Sequence, residues 1–261
     1  MKDFNIYQLR LEQSLNEKLF FASILDLKEY DYIVDFGCGT GALLSKLKTI
    51  VDANTQLIGY DINMEMLRVC EERYSDIKFT NNLNKIKKMI EGTKSLVIFS
   101  TVLHEISENT QLEIIRNVMP LFHTVVVRDM KRPLNNEPIS NMTRKRVLSK
   151  VAPWQAKMFE ERWGKIRDKE NLYRFFLMNE FVENFETEVE EDYFGVLWSD
   201  IHWSLEIKGY GIVHANSYTL PYRKKQVKKL FNHSMNDITH RNLIMMRTDE
   251  GEEEDVDKTT K

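Results

Sequence analysis

The sequence predicts an α/β fold, a three-layer sandwich around a mostly parallel seven-stranded sheet, with a helical insertion after the fifth strand. Three observations predict it. Short apolar runs alternate with segments whose apolar residues recur at helical spacing, the pattern of a parallel sheet. A turn carrying three glycines, Gly37-Cys38-Gly39-Thr40-Gly41, joins the first apolar run to the helix-period segment after it. The alternation then stops near residue 130, and strand-like text returns only after a long charged and aromatic stretch.

Residues from Ile6 to about Leu27 read as an amphipathic helix, with Leu9, Leu15, Leu19 and Phe20 near one face. Tyr32-Ile33-Val34-Asp35-Phe36 is a buried strand running into the glycine turn, and Leu43, Leu44, Leu47 and Ile50 mark the helix behind it. Gln56 to Asp61 is a second strand, followed by a helix from Met64 with Asn63 as its cap. Ile77–Thr80, Leu96–Ser100 and Thr124–Asp129 are the next three, with a helix through Leu112, Ile115 and Met119 before the last. From about 140 to 190 the chain reads as helices, basic first (Arg144 to Lys169) and acidic later (Glu180 to Asp192). Tyr210–Tyr218 and Asn242–Arg247 are strands flanking a basic helix around Lys224 to Phe231. The expected division is a ligand-binding core over 1–130, a helical lid over 131–200, sheet-completing strands over 201–248 and a disordered acidic tail over 249–261.

At 261 residues the chain has room for one large domain with an appended lobe, and 42% apolar with 30% charged residues is the mix of a soluble globular protein. No apolar run approaches the ~18–20 residues of a membrane span. The start, Met1-Lys2-Asp3-Phe4-Asn5, lacks signal-peptide character. Two cysteines, Cys38 and Cys70, exclude a disulfide framework and a four-cysteine zinc site, so a cytoplasmic setting is expected. Seven acids and two lysines from Asp249 onward account for more than the whole net charge of −3, leaving the rest slightly basic. A tail so poor in apolar side chains cannot offset its ordering entropy.

The chemistry concentrates at Asp35-Phe36-Gly37-Cys38-Gly39-Thr40-Gly41. Glycines there let the backbone approach a ligand, and the following helix offers free N–H groups. Gly37, Gly39 and Ala42 loosely satisfy the dinucleotide fingerprint as well. Asp35 separates the readings, because a carboxylate before the first glycine repels pyrophosphate and suits an ammonium group. S-adenosylmethionine carries an α-amino group and a sulfonium and no phosphate. Asp61, 20 residues after Gly41, is placed to accept two ribose hydroxyls, a role that fits a nicotinamide dinucleotide equally well. Cys38 reads as a small side chain tolerated in a tight turn rather than a nucleophile, with no His or Lys beside it in sequence.

This stretch resembles the class I S-adenosylmethionine-dependent methyltransferase family, matching its D-x-G-x-G-x-G loop, with Asp61-Ile62-Asn63-Met64-Glu65-Met66-Leu67 like its second motif. The resemblance covers residues 30 to 130 by element order. It implies that Asp35 holds the cofactor's amino group through the loop. Gly37, Gly39 and Gly41 would line the methionine end, and Asp61 would take the ribose. Where the family often has Asp after the third strand to meet the adenine amino group, this chain has Asn81-Asn82, and Asn82 is the expected replacement. Phe99-Ser100-Thr101-Val102-Leu103-His104-Glu105-Ile106 resembles the Leu-His-Glu/His stretch of many small-molecule and some RNA-modifying members. His104 is the candidate base for an oxygen or nitrogen acceptor, against the plainer reading that it opens the next helix.

Absences narrow the acceptor. No Asp/Asn-Pro-Pro-Tyr/Phe and no Pro-Cys follows the fourth strand, which argues against amino-methylating DNA enzymes and cytosine C5 chemistry. Arg144, Arg146, Lys150, Trp154, Lys157, Arg162 and Trp163 interleave bases with aromatics, as a nucleic-acid surface would, and Lys224, Lys225, Lys228 and Lys229 extend the basic character. An isoelectric point near 6.1 argues the other way. The acceptor therefore stays open between RNA or another nucleic acid and a small molecule, and the oligomeric state is not set. His202, His214, His233 and His240 form no metal spacing, so no metal is expected, and His202-Trp203 is a minor candidate for the acceptor pocket. The rival functions are a nicotinamide-dependent oxidoreductase and a catalytically silent binding module on the same fold.

Overall fold

A computed structural model describes residues 14–179 and 184–248. Seven strands form one sheet: β1 (Tyr32–Phe36), β2 (Gln56–Tyr60), β3 (Lys78–Thr80), β4 (Ser95–Ser100), β5 (Thr124–Met130), β6 (Tyr210–Tyr218) and β7 (His240–Arg247). Their order is β3-β2-β1-β4-β5-β7-β6. The first five are parallel, and β7 runs antiparallel between β5 and β6. The predicted fold class is therefore observed, strand for strand.

Period-2 side-chain alternation divides the apolar runs between two faces. Val34, Phe36, Val97, Phe99, Val125 and Val127 point to one face, under Ile86 and Ile90 of the helix Leu83–Ile90 and under Ile201 and Leu205 of Trp198–Glu206. Ile33, Leu57, Leu96, Ile98 and Val126 point to the other, under Leu43, Leu44 and Leu47 of Ala42–Leu47 and Leu67 and Cys70 of Met64–Arg73. Asn63 caps the last of these as expected, its side chain accepting from the Glu65 and Met66 N–H groups.

The N-terminal helix is shorter than its apolar pattern predicts. Residues 14–18 are helical, the chain turns at Leu19, and 3₁₀ turns follow at Phe20–Ser23 and Leu27–Glu29. The physical reason is burial. Phe21, Leu25 and Leu27 all pack on the second face, whereas one straight helix at about 100° per residue would carry Leu27 roughly 120° away from Phe21. Asp26 starts the second turn by accepting from Lys28 N–H. Leu9 and the acidic tail lie outside the described residues.

The segment after β5 builds its own core. Phe159, Phe175, Phe176, Phe185 and Tyr193 pack together with Met130, from helices that include Pro153–Trp163 and Lys169–Met178. Val227 and Phe231, from the helix Pro221–Phe231 between β6 and β7, join the same cluster. The helix Trp198–Glu206 straddles position 200 and packs on the sheet instead. Among the described residues no helix is long and apolar enough to cross a membrane.

Candidate active site

The strand order reverses between β1 and β4: one crossover leads from β1 to β2 and β3, and the other side continues through β4 to β5. Open α/β sheets form their ligand crevice at such a point, beyond the carboxyl ends of the strands. Here a cavity of about 750 Å³ opens there, lined by the glycine loop, the end of β4, residues 14, 15 and 18, Glu188 to Tyr193 of the insertion, and Leu220 to Arg223.

The glycine loop is tied to β2, since the Gly37 and Cys38 N–H groups both donate to Tyr60 O at 2.7 and 3.0 Å. Gly37 and Gly41 have φ of +78° and +73°. A Cβ on Gly37 would stand 2.4 Å from Val102 Cγ2, so only glycine lets β1 turn this closely beneath the end of β4. Asp61 accepts from Gly39 N–H through Oδ2 and from Asn63 N–H through Oδ1, both at 2.9 Å, which aims its carboxylate at the loop.

Asp35 is 4% exposed and lines the cavity. Burial pushes its pKa up to about 7, with Asp61 adding to the rise and Lys18 opposing it. Burial in turn lowers Lys18 to about 8, with Arg128 adding to the fall and the carboxylates of Asp35 and Asp129 opposing it. Cys38 is inert, because its contact with Cys70, then burial and Asp35, raise its thiol far above the usual range.

At the end of β4 one carboxylate organises the loop. Asp129, fully buried on β5, accepts from Val102 N–H and Leu103 N–H through Oδ2. Its Oδ1 accepts from Met130 N–H and, at 2.7 Å, from His104 Nδ1. Thr101 adopts a left-handed φ of +57° to make the turn. His104 is 6% exposed, and its Nε2 faces Glu191 Oε2 at 3.8 Å. Burial disfavours its charge, but Asp129, Glu105 and Glu191 outweigh burial and raise it to about 9. Burial likewise opposes ionisation of Asp129, but the charge and hydrogen bond of His104 outweigh it and hold the carboxyl below its usual range. His240 lines the same cavity as a neutral ring, lowered well below its usual value by burial and by Arg128 and Arg223.

Of the expected site residues, Asp35, Gly37, Gly39, Asp61 and His104 line the cavity. Gly41 lies just behind it, where a Cβ would crowd Tyr74 and Phe79 at 3.1–3.2 Å. Asn82 is exposed and outside the lining, and its side-chain carbonyl accepts from Lys85 N–H as a helix cap. His202, Trp203, His214 and His233 are also outside. Sequence reasoning missed Lys18, Arg128, Asp129, Glu191, Tyr193 and His240. For Asp129 a signal existed: it closes a strand at the crevice edge, as Asp35 and Asp61 do.

Residues 33–123, from β1 to the edge of β5, match the family model described as a methyltransferase domain. No curated protein matches the chain significantly. Among solved structures, an S-adenosylmethionine-dependent methyltransferase from Mesorhizobium loti superposes with a TM-score of 0.54 at 12% identity, covering 91% of this chain and 100% of that one. The plantazolicin methyltransferase BamL, solved with a triazolic desmethylPZN analog and SAH, gives 0.52 at 10% identity, covering 93% and 87%. At these identities the likeness is one of fold. The glycine loop, Asp35, Asp61 and His104 all lie inside the span that matches the methyltransferase-domain model.

Proposed function

We propose that the chain transfers a methyl group from S-adenosylmethionine to a small-molecule acceptor held between the end of β4 and the inserted helices. The cavity carries this reading. Its volume lies in the range of ligand sites, and six carboxylates line it against three Lys or Arg side chains. Such a lining favours the cationic amino and sulfonium groups of the donor and repels a polyanion.

The residues present fit the donor. Asp35 is a buried carboxylate that its surroundings make reluctant to ionise, and a bound ammonium restores its charge. Thr40 Oγ1 is buried on the cavity wall with no hydrogen-bond partner among the described residues, the mark of a polar ligand's place. Asp35 would hold the amino group, Gly37 and Gly39 the methionine end, and Asp61 the ribose hydroxyls. The donor supplies an electrophilic methyl carbon on a sulfonium. The chain's part is to fix the acceptor in line with that carbon, which the wall at Ser100, His104 and Tyr193 does, and to exclude water with the insertion.

Three of the insertion's basic and aromatic residues are held by contacts within the insertion itself. Arg144 pairs with Glu160, Arg162 with Glu190 at 3.0 Å, and Trp163 Nε1 donates to Val189 O at 2.7 Å. This supports a small acceptor over RNA. Labelled methyl donor, incubated with the protein and size-fractionated extract, is expected to mark the small-molecule fraction. Label in RNA, DNA or protein overturns the small-acceptor reading. In a thermal unfolding assay S-adenosylhomocysteine at 100 times its Kd should add about 2.7 kcal/mol, and NADH nothing; the reverse pattern makes the chain an oxidoreductase.

A further inference from the structure

One cluster on the cavity wall exceeds what methyl transfer by positioning alone requires. The ligand atoms of His104, Glu105 and Glu191 all lie within 4.8 Å of one another. His104 Nδ1 is committed to Asp129, leaving Nε2 directed at Glu191. A buried carboxylate fixing one ring nitrogen so that the other faces outward is the usual support of a metal-ligating histidine. A second, separate observation lies on the same cavity wall: Ser100 is 7% exposed, and its Oγ has no partner among the described residues.

We propose that His104 Nε2 and the carboxylates of Glu105 and Glu191 form a site for a divalent cation, which displaces the Nε2 proton to solvent and at which an acceptor binds through a hydroxyl oxygen. One imidazole with two carboxylates is a borderline-to-hard donor set, suited to Mn²⁺ or Zn²⁺ rather than a thiophilic ion. Ligand bonds of about 2.0–2.2 Å put the donor atoms of a tetrahedral site about 3.3–3.6 Å apart, so the three side chains draw in by up to about 1.5 Å when the ion binds. Three protein ligands leave coordination positions open. An alcohol or phenol placed there becomes more acidic and releases its proton to solvent. Its oxygen then bonds to the methyl carbon as the carbon–sulfur bond breaks, giving the methyl ether and S-adenosylhomocysteine. Glu191 belongs to the insertion and His104 to the sheet edge, so the ion would also fasten one to the other.

The inference rests on the methyltransferase reading, and its test separates the two. Mn²⁺ is titrated into the chelator-treated full chain by calorimetry and by its electron spin resonance signal, with and without S-adenosylhomocysteine. One ion per chain is expected, displaced by Zn²⁺, with Glu105→Gln and Glu191→Gln each weakening binding about tenfold or more. Glu206→Gln should match the native chain. An unchanged circular dichroism spectrum and unfolding temperature show that the variants are folded. If Mn²⁺ and Zn²⁺ fail to bind at millimolar concentration, or the two cluster variants bind as tightly as the native chain, the metal site is overturned while the methyltransferase reading stands. If the ion binds but S-adenosylhomocysteine does not, that reading falls instead.

Discussion

If Asp35 holds the donor's amino group as proposed, cofactor affinity depends on pH in a defined direction. Its folded pKa, about 7, lies above the ordinary carboxyl value. The stability it confers on the ligand-free chain is therefore fully present below the ordinary value and is lost as pH rises through about 7. An ammonium-bearing ligand needs the ionised form, so protons compete with it below that pH. The Kd for S-adenosylhomocysteine at pH 6 should be about tenfold weaker than at pH 8, and Asp35→Asn should bind weakly with a flat profile. A steep profile surviving in the variant would place the titrating group elsewhere. Gly37→Ala sets a methyl group against Val102 at a left-handed φ. It should cost about 1–3 kcal/mol in urea unfolding. Asp61→Ala removes two backbone hydrogen bonds as well as the expected ribose acceptor. Calorimetry should show cofactor affinity falling at least tenfold, about 1.4 kcal/mol.

At the scale of elements, loops at the ends of strands set the site while the strands only carry it. The acids closing β1, β2 and β5 were legible as local text, and two of them were read as ligands. Asn82 follows β3 in the same way, yet its side chain completes a helix cap and faces away, because an Asx cap satisfies local N–H groups whatever the distant ligand requires. His104 was legible as a residue and read as a candidate base. Against burial, Asp129, the adjacent Glu105 and Glu191 raise its proton affinity, and Asp129 and Glu191 stand 25 and 87 positions away, which no local pattern brings together. The insertion's separate aromatic core yields its own prediction. Phe159→Ala, at a fully buried ring stacked edge-on to Phe175, should cost about 3–5 kcal/mol. Methyl transfer should drop sharply while S-adenosylhomocysteine affinity stays within about threefold, since the cofactor loop packs in other clusters. Equal loss of both would make core and insertion one cooperative unit.

Across the whole molecule, charge is partitioned rather than neutral throughout: an acidic crevice, and an insertion in which Arg144 and Arg162 pair with Glu160 and Glu190. Methyl transfer should thus change less than about threefold between 50 and 200 mM salt, where a protein making many phosphate contacts loses orders of magnitude. A steep loss would restore a nucleic-acid acceptor. The sequence by itself determined the sheet, its seven strands, the glycine loop and two of the strand-end acids, because apolar periodicity and glycine turns are written within a few neighbouring residues. Only the tertiary structure decided which polar groups meet. Lys18 reaches Asp35 from the N-terminal turn, Glu191 reaches His104 from the insertion, and His240 enters through the antiparallel pairing of β7 with β5. Those encounters depend on how layers stack over a crevice, and burial together with the charges met there sets which groups hold their protons.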